Sequence, residues 1–148
     1  MHLTTAEIAA SFNRWYKEGN GSSLNKSHKL VLKRTAEFKR NGIETILDIG
    51  CGRGLLMEEL SLRGFTVSGT EIASYLFSRD LKGHHFYPYS MQQLGKVEEI
   101  FDLVLLVDVL EYLKNEKERE KCLEHADRLS KKCVIAIHNG DLLLENWK

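Results

Sequence analysis

The chain has 148 residues, of which 43% are hydrophobic and 28% charged, with 21 Lys and Arg against 21 Asp and Glu for a formal net charge of zero. This is the composition of one ordinary globular domain with a single core, and no run approaches the roughly 18 apolar residues that would mark a membrane span. Three cysteines without metal-ligand spacing point to a reducing compartment, and the opening from Met1 to Glu7 lacks a charged-then-apolar leader pattern, so a cytoplasmic protein is expected.

Charge is uneven along the chain. Residues 1–42 carry eight Lys or Arg against three Glu, an excess of +5, and the remainder carries −5. Such an arm is either a solvated helix face or a guide for an anionic partner. Thr4-x-x-Glu7 is a capping-box pattern that opens a first helix, in which Ile8, Phe12, Trp15 and Tyr16 recur at helical spacing until Gly19-Asn20-Gly21 breaks it. A second helix is expected from Leu24 to Arg40, closed by Asn41-Gly42. These 42 residues read as a helical arm or lid. Trp15 and Tyr16 can close over a ligand or simply form a core face.

From residue 43 strand and helix alternate. A strand at 44–49 leads to a helix at 54–63, then a strand at 65–70 and a helix at 73–81. A weaker strand at 84–87 ends at Pro88, the only proline. Phe101 to Val107 is almost continuously apolar, as a central strand covered on both faces must be. Asn115-x-x-Glu118 opens an amphipathic helix to Leu129 with Cys122, Leu123, Ala126 and Leu129 inward, and Cys133 to Ile137 is a fifth strand. The alternation predicts a single α/β domain: a doubly wound, mostly parallel sheet with helices on both faces and a ligand-binding core over 43–140. Residues 141–148 are read as a tail. The fifth strand would then be an exposed edge, through which, or through the neighbouring helix, a homodimer is expected.

The chemistry concentrates after the first strand, in Ile46-Leu47-Asp48-Ile49-Gly50-Cys51-Gly52-Arg53-Gly54. Glycines at alternate positions between a strand and a helix let backbone approach a ligand closely. The spacing is not the G-x-G-x-x-G of dinucleotide binders. Asp48 would repel a pyrophosphate but suits a ligand carrying an ammonium and a sulfonium, as S-adenosylmethionine does. Glu71 ends the second strand about twenty residues after the first glycine, where a carboxylate can accept from two ribose hydroxyls. Nicotinamide cofactors are recognised by the same device, so Glu71 alone does not separate the two ligands. Asp108 ends the fourth strand and Glu111 and Tyr112 follow it, while His138-Asn139 ends the fifth. His138 is a general-base candidate by position, with a surface or packing histidine as the alternative. His28 is more simply a packing residue, and His84-His85 without acidic or cysteine partners is no metal site, so no metal is expected.

These motifs resemble the class I S-adenosylmethionine-dependent methyltransferases of small-molecule type, over roughly Ile43 to Asn139. The resemblance implies a Rossmann-like sheet of order 3-2-1-4-5 and S-adenosylmethionine as cofactor, with S-adenosylhomocysteine as product. It places Asp48, Gly50, Cys51, Gly52, Gly54, Glu71, Ile72, Ser90, Met91 and Asp108 at the cofactor; position alone makes His138 the catalytic candidate, with Tyr112 or Glu111 orienting the acceptor. Ile72 would lie on the adenine face. Ser90-Met91-Gln92-Gln93-Leu94 stands where the family shows Asp-Ala-x-x-Leu, and Tyr112 stands where it shows His, which removes a neutral-pH base. The family adds a helix and two more strands after the fifth, for which nine residues leave no room. The Asn/Asp-Pro-Pro-Tyr signature of nucleic-acid amino methyltransferases is missing, so a small-molecule acceptor is expected. A catalytically inactive cofactor-binding partner and an NAD-dependent oxidoreductase are the rival readings.

Overall fold

The computed structural model describes residues 3–148; Met1 and His2 lie outside the described residues. Helix α1, Thr5–Lys17, opens with the expected box: the Thr4 hydroxyl accepts from the Glu7 N–H and the Glu7 carboxylate accepts from the Thr4 N–H. The second helix is broken into α2, Lys26–Leu32, and α3, Thr35–Arg40. Two features break it. The Thr35 hydroxyl donates to the Leu32 carbonyl, competing with the helix ladder, and Arg34 turns out to pair with Glu37 and with Glu145 at the far end of the chain.

The strands are β1, Thr45–Ile49; β2, Thr66–Thr70; β3, His85–Tyr87; β4, Phe101–Val107; β5, Ser130–His138; and β6, Asp141–Trp147. They form one sheet of order β3-β2-β1-β4-β5-β6, parallel except for β6, which runs antiparallel to β5. Helix α4, Leu55–Leu62, follows β1, and α5, Glu116–Leu129, follows β4. The helix expected over 73–81 is reduced to a single 3-10 turn, Ser74–Leu76, followed by further turns in which Asp80 pairs with Arg53 of the glycine turn.

The expected tail is corrected: residues 141–147 are β6. Asn139 and Gly140 both take left-handed backbone angles, φ 50° and 83°, which reverse the chain in two residues so that His138 pairs with Asp141. The edge of β5 is therefore taken by the chain's own last strand, and the two outer edges of the sheet are β3 and β6.

Alternation along the buried strands divides the core into two layers. Leu103, Leu105 and Val107 of β4 face α2, α3 and α4 with Val31, Phe38, Met57 and Leu60, whereas Val104 and Leu106 face α5 with Cys122, Ala126 and Leu129. Each fully buried aliphatic side chain contributes about 2 kcal/mol, so β4, buried on both faces, anchors the sheet. α1 stands apart: none of its residues is fully buried, because its apolar face lies over a cavity and only Phe12 and Tyr16 also pack against the core. Among the described residues no helix is long and apolar enough to cross a membrane.

Candidate active site

The parallel order reverses between β1 and β4, and the carboxyl ends of β1, β2 and β4 meet there. Gly50 and Gly52 take φ 71° and 57° in the turn after β1. A Cβ on Gly50 would lie 2.5 Å from Cγ1 of Val109, so no larger residue fits this turn without displacing its neighbour. The turn is fixed by β2. The Gly50 N–H donates to the Thr70 hydroxyl at 3.1 Å, the Cys51 N–H to the Thr70 carbonyl at 2.8 Å, and the Gly52 N–H to Glu71 Oε1 at 2.8 Å. Glu71 Oε2 accepts from the N–H groups of Ile72 and Ala73 at 3.0 and 2.9 Å. The nearly buried Glu71 carboxylate thus spends three of its roughly four lone-pair sites on backbone donors.

Asp48 lies buried beneath the turn rather than on the cavity wall. Burial first, and Glu71 second, push its carboxyl up to about 7. Cys51 is raised well above the usual thiol range by burial and by the same two carboxylates, so it is no nucleophile.

The lid is α1. Ile8, Phe12, Trp15 and Tyr16 line a cavity of about 220 Å³ whose other walls include Gly50, Cys51, Gly52, Glu71, Ile72, Ser90, Met91, Asp108 and Tyr112. Arg53 clasps the C-terminal end of α1: Nε donates to the Asn20 carbonyl at 2.8 Å and a terminal nitrogen to the Tyr16 carbonyl at 2.6 Å, while the guanidinium pairs with Asp80. Asn13 ties the other flank through the Tyr75 N–H at 2.9 Å, and Phe12 packs edge-on against Tyr112 at 5.0 Å. The Tyr16 hydroxyl is raised, by burial above all and then by Glu71, and remains protonated.

At the other end of the cavity Asp108 takes φ 56° after β4. Its Oδ1 accepts from the Asn139 N–H at 2.7 Å and from the Ser27 hydroxyl at 3.1 Å. His138 Nδ1 lies 3.4 Å from Glu111 and 3.9 Å from Asp108. Ligand atoms of Asp108, Glu111 and His138 all fall within 4.8 Å of one another, a grouping able to hold a divalent cation, although Asp108 Oδ1 already serves two donors. The tyrosine at position 112 is raised by burial, then by Glu111 and Asp108.

Of the residues singled out from sequence, Gly50, Cys51, Gly52, Glu71, Ile72, Ser90, Met91, Asp108 and Tyr112 line the cavity; Asp48, Gly54, Glu111 and His138 do not. Gly54 instead begins α4 and packs toward Leu81 and His84. His28 lines the cavity while its Nδ1 accepts from the Asn25 N–H as a helix cap, and burial lowers its pKa despite the opposing pull of Asp108. His84 and His85 diverge, one toward Glu58 and the other toward Ser68 and Glu99. Arg53 and Ser27 carried no sequence signal as site residues. Their partners lie far along the chain.

A doubly wound sheet with a glycine turn and an acidic residue at adjacent strand ends, under a cavity walled by α1, defines a Rossmann-like domain. Residues 22–147 match the methyltransferase domain family, and the chain belongs to it. A ubiquinone biosynthesis O-methyltransferase of Hydrogenovibrio crunogenus is 30% identical over 110 residues, covering 68% of this chain and 46% of that protein. The chain spans about half the length of the curated relatives it matches. Among solved structures, the magnesium protoporphyrin IX methyltransferase of Synechocystis PCC 6803 with bound S-adenosylmethionine aligns with a TM-score of 0.66 at 20% identity, over 85% of this chain and 69% of that one. An amino pentose methyltransferase of Micromonospora echinaspora, also solved with S-adenosylmethionine, gives 0.66 at 16% identity, over 93% of this chain and 57% of that one. Both share the fold.

Proposed function

We propose that this domain binds S-adenosylmethionine beneath α1 and transfers its methyl group to a small-molecule acceptor. The observation that carries this reading is the convergence of the bare Gly50–Gly52 backbone, Glu71 and Asp108 on one lidded cavity. The residues present suit the ligand. One lone-pair site of Glu71 remains for a ribose hydroxyl. Ile72 offers an apolar face to adenine, with Ser90 and Met91 beside it. The backbone of Gly50, Cys51 and Gly52 meets the methionine portion, with Asp48 below it and Asp108 opposite. Bound there, the ligand would supply a methyl group made electrophilic by its sulfonium.

The protein's share is alignment and exclusion of water. α1, held by Arg53 and Asn13, closes the cavity, and orientation of this kind supplies much of the acceleration of a displacement. Tyr112, Glu111 and His138 are assigned to the acceptor side. An acceptor hydroxyl must lose a proton as its oxygen bonds the methyl carbon, and His138, set against Glu111, is the group assigned to that loss. The name of the Hydrogenovibrio relative favours oxygen as the acceptor atom. The basic arm of residues 1–42 favours an anionic acceptor.

Calorimetric titration with S-adenosylmethionine, S-adenosylhomocysteine and NAD tests the reading. Micromolar binding of the first two without NAD is the expected result, and absence of binding by either sulfur ligand would overturn it. Binding without methyl transfer to any phenol, amine or carboxylate in an acceptor panel would leave a cofactor-binding partner instead. Unchanged turnover in His138→Ala would remove His138 from the mechanism.

A further inference from the structure

We propose that Ser27 is a positioning residue for Asp108, keying the N-terminal helical segment to the floor of the cavity. Ser27 is fully buried in α2, and its hydroxyl is used in both directions. It donates to Asp108 Oδ1 at 3.1 Å and accepts from the Gly140 N–H at 2.8 Å. The same Asp108 oxygen accepts from the Asn139 N–H at 2.7 Å. One hydroxyl therefore joins α2, the end of β4 and the β5–β6 reversal, three segments brought together only by the fold. Two donors on Oδ1 fix the rotation of the carboxylate and leave Oδ2 as the acceptor available to the cavity that Asp108 lines.

No simpler role accounts for Ser27. A packing residue at a fully buried position would be apolar, and a helix-stabilising serine would bond its own helix; this one bonds two other segments. Removing the hydroxyl strands the Gly140 N–H without an acceptor and frees Asp108 to rotate about one remaining bond. The N-terminal segment also carries the lid, so the bond makes the position of the acid depend on the seating of α2.

The proposal rests on the methyl-donor reading only for its effect on affinity, and the test has a part that needs no ligand. Amide hydrogen exchange is measured on the wild type and Ser27→Ala. Loss of protection at Gly140 is expected in either case, because Ser27 touches it. The deciding amide is Asn139, which bonds Asp108 and not Ser27. Faster exchange there, by about tenfold, shows that the carboxylate has lost its seat; unchanged protection at Asn139 overturns the proposal. The second part is a double-mutant cycle on S-adenosylhomocysteine affinity with Ser27→Ala, Asp108→Asn and the pair. Ser27→Ala is expected to weaken binding by about tenfold in the wild-type background and by less than about twofold beside Asp108→Asn. Equal losses in both backgrounds would make Ser27 merely structural. If the wild type binds neither sulfur ligand, the methyl-donor reading fails, and the exchange result still decides the role of Ser27.

Discussion

Asp48 makes the stability of this domain depend on pH in a direction opposite to that of most paired carboxylates. Its carboxyl is fully buried and stands at about 7 against an ordinary 3.8, because burial and the neighbouring Glu71 both oppose ionisation. A folded-state pKa above the unfolded one means that the native state binds the extra proton. Stability from this group is therefore complete below 3.8 and is lost as pH rises from 3.8 through about 7. A shift of roughly three units corresponds to a total loss of about 4 kcal/mol, of which about 2.5 kcal/mol falls between about pH 5 and about pH 8. Urea unfolding of the wild type and Asp48→Asn at both pH values isolates the effect, since every other titrating group is common to the two proteins. The wild type should lose about 2.5 kcal/mol more than the variant over this interval. Parallel losses would show that Asp48 is not the group responsible. A cationic ligand placed above Asp48 reverses the preference, so S-adenosylmethionine binding should release protons near neutrality in the wild type and not in Asp48→Asn. Calorimetry in buffers of different ionisation enthalpy detects this.

Glu71→Gln replaces an acceptor of three backbone N–H groups by an amide whose nitrogen cannot accept, and S-adenosylhomocysteine affinity should fall at least about tenfold by calorimetry. Arg53→Ala removes both bonds to the end of the lid, so amide exchange should accelerate across α1 while β1 and β4 keep their protection. Arg34→Ala leaves Glu145 without its two-pronged partner and should cost about 2 kcal/mol in urea unfolding, with protection lost first in β6. A β6 as protected in the variant as in the wild type would mean that its hairpin with β5 needs no clamp.

What the sequence disclosed and what it hid follow from the range of the interactions involved. The strand–turn–helix at Asp48 to Leu60 and the continuous apolar run of β4 are local, and their elements lie where periodicity and glycines put them. The family resemblance added the strand order, which periodicity alone does not contain. The missed β6 did have a local signal: Asn139-Gly140 between apolar runs is a strong hairpin indicator. Nine residues are too few for the helix and two strands that the resemblance implies, but they are enough for one strand. The break between α2 and α3 had no comparable signal, because Arg34 is turned by Glu145, 111 positions away. The site divides the same way. Gly50, Gly52 and Glu71 could be picked out by spacing, while Arg53 and Ser27 act through carbonyls and carboxylates that only the folded chain brings near.

The charge of the site bears on the kind of ligand it can take. Asp48 and Glu71 meet beneath one glycine turn, and the Glu71 carboxylate helps burial to raise Asp48, Cys51 and Tyr16 above their ordinary ranges. Backbone N–H groups offset Glu71, but Asp48 is left to relieve its burial by holding a proton near neutrality. A pyrophosphate brought to the same turn would add negative charge to this pair and deepen the penalty. An ammonium and a sulfonium would let Asp48 ionise and convert the penalty into attraction. Acidic partners of a glycine turn are common to both ligand classes, so Glu71 alone leaves the choice open. The buried acid beneath the turn is what tilts it toward the sulfonium.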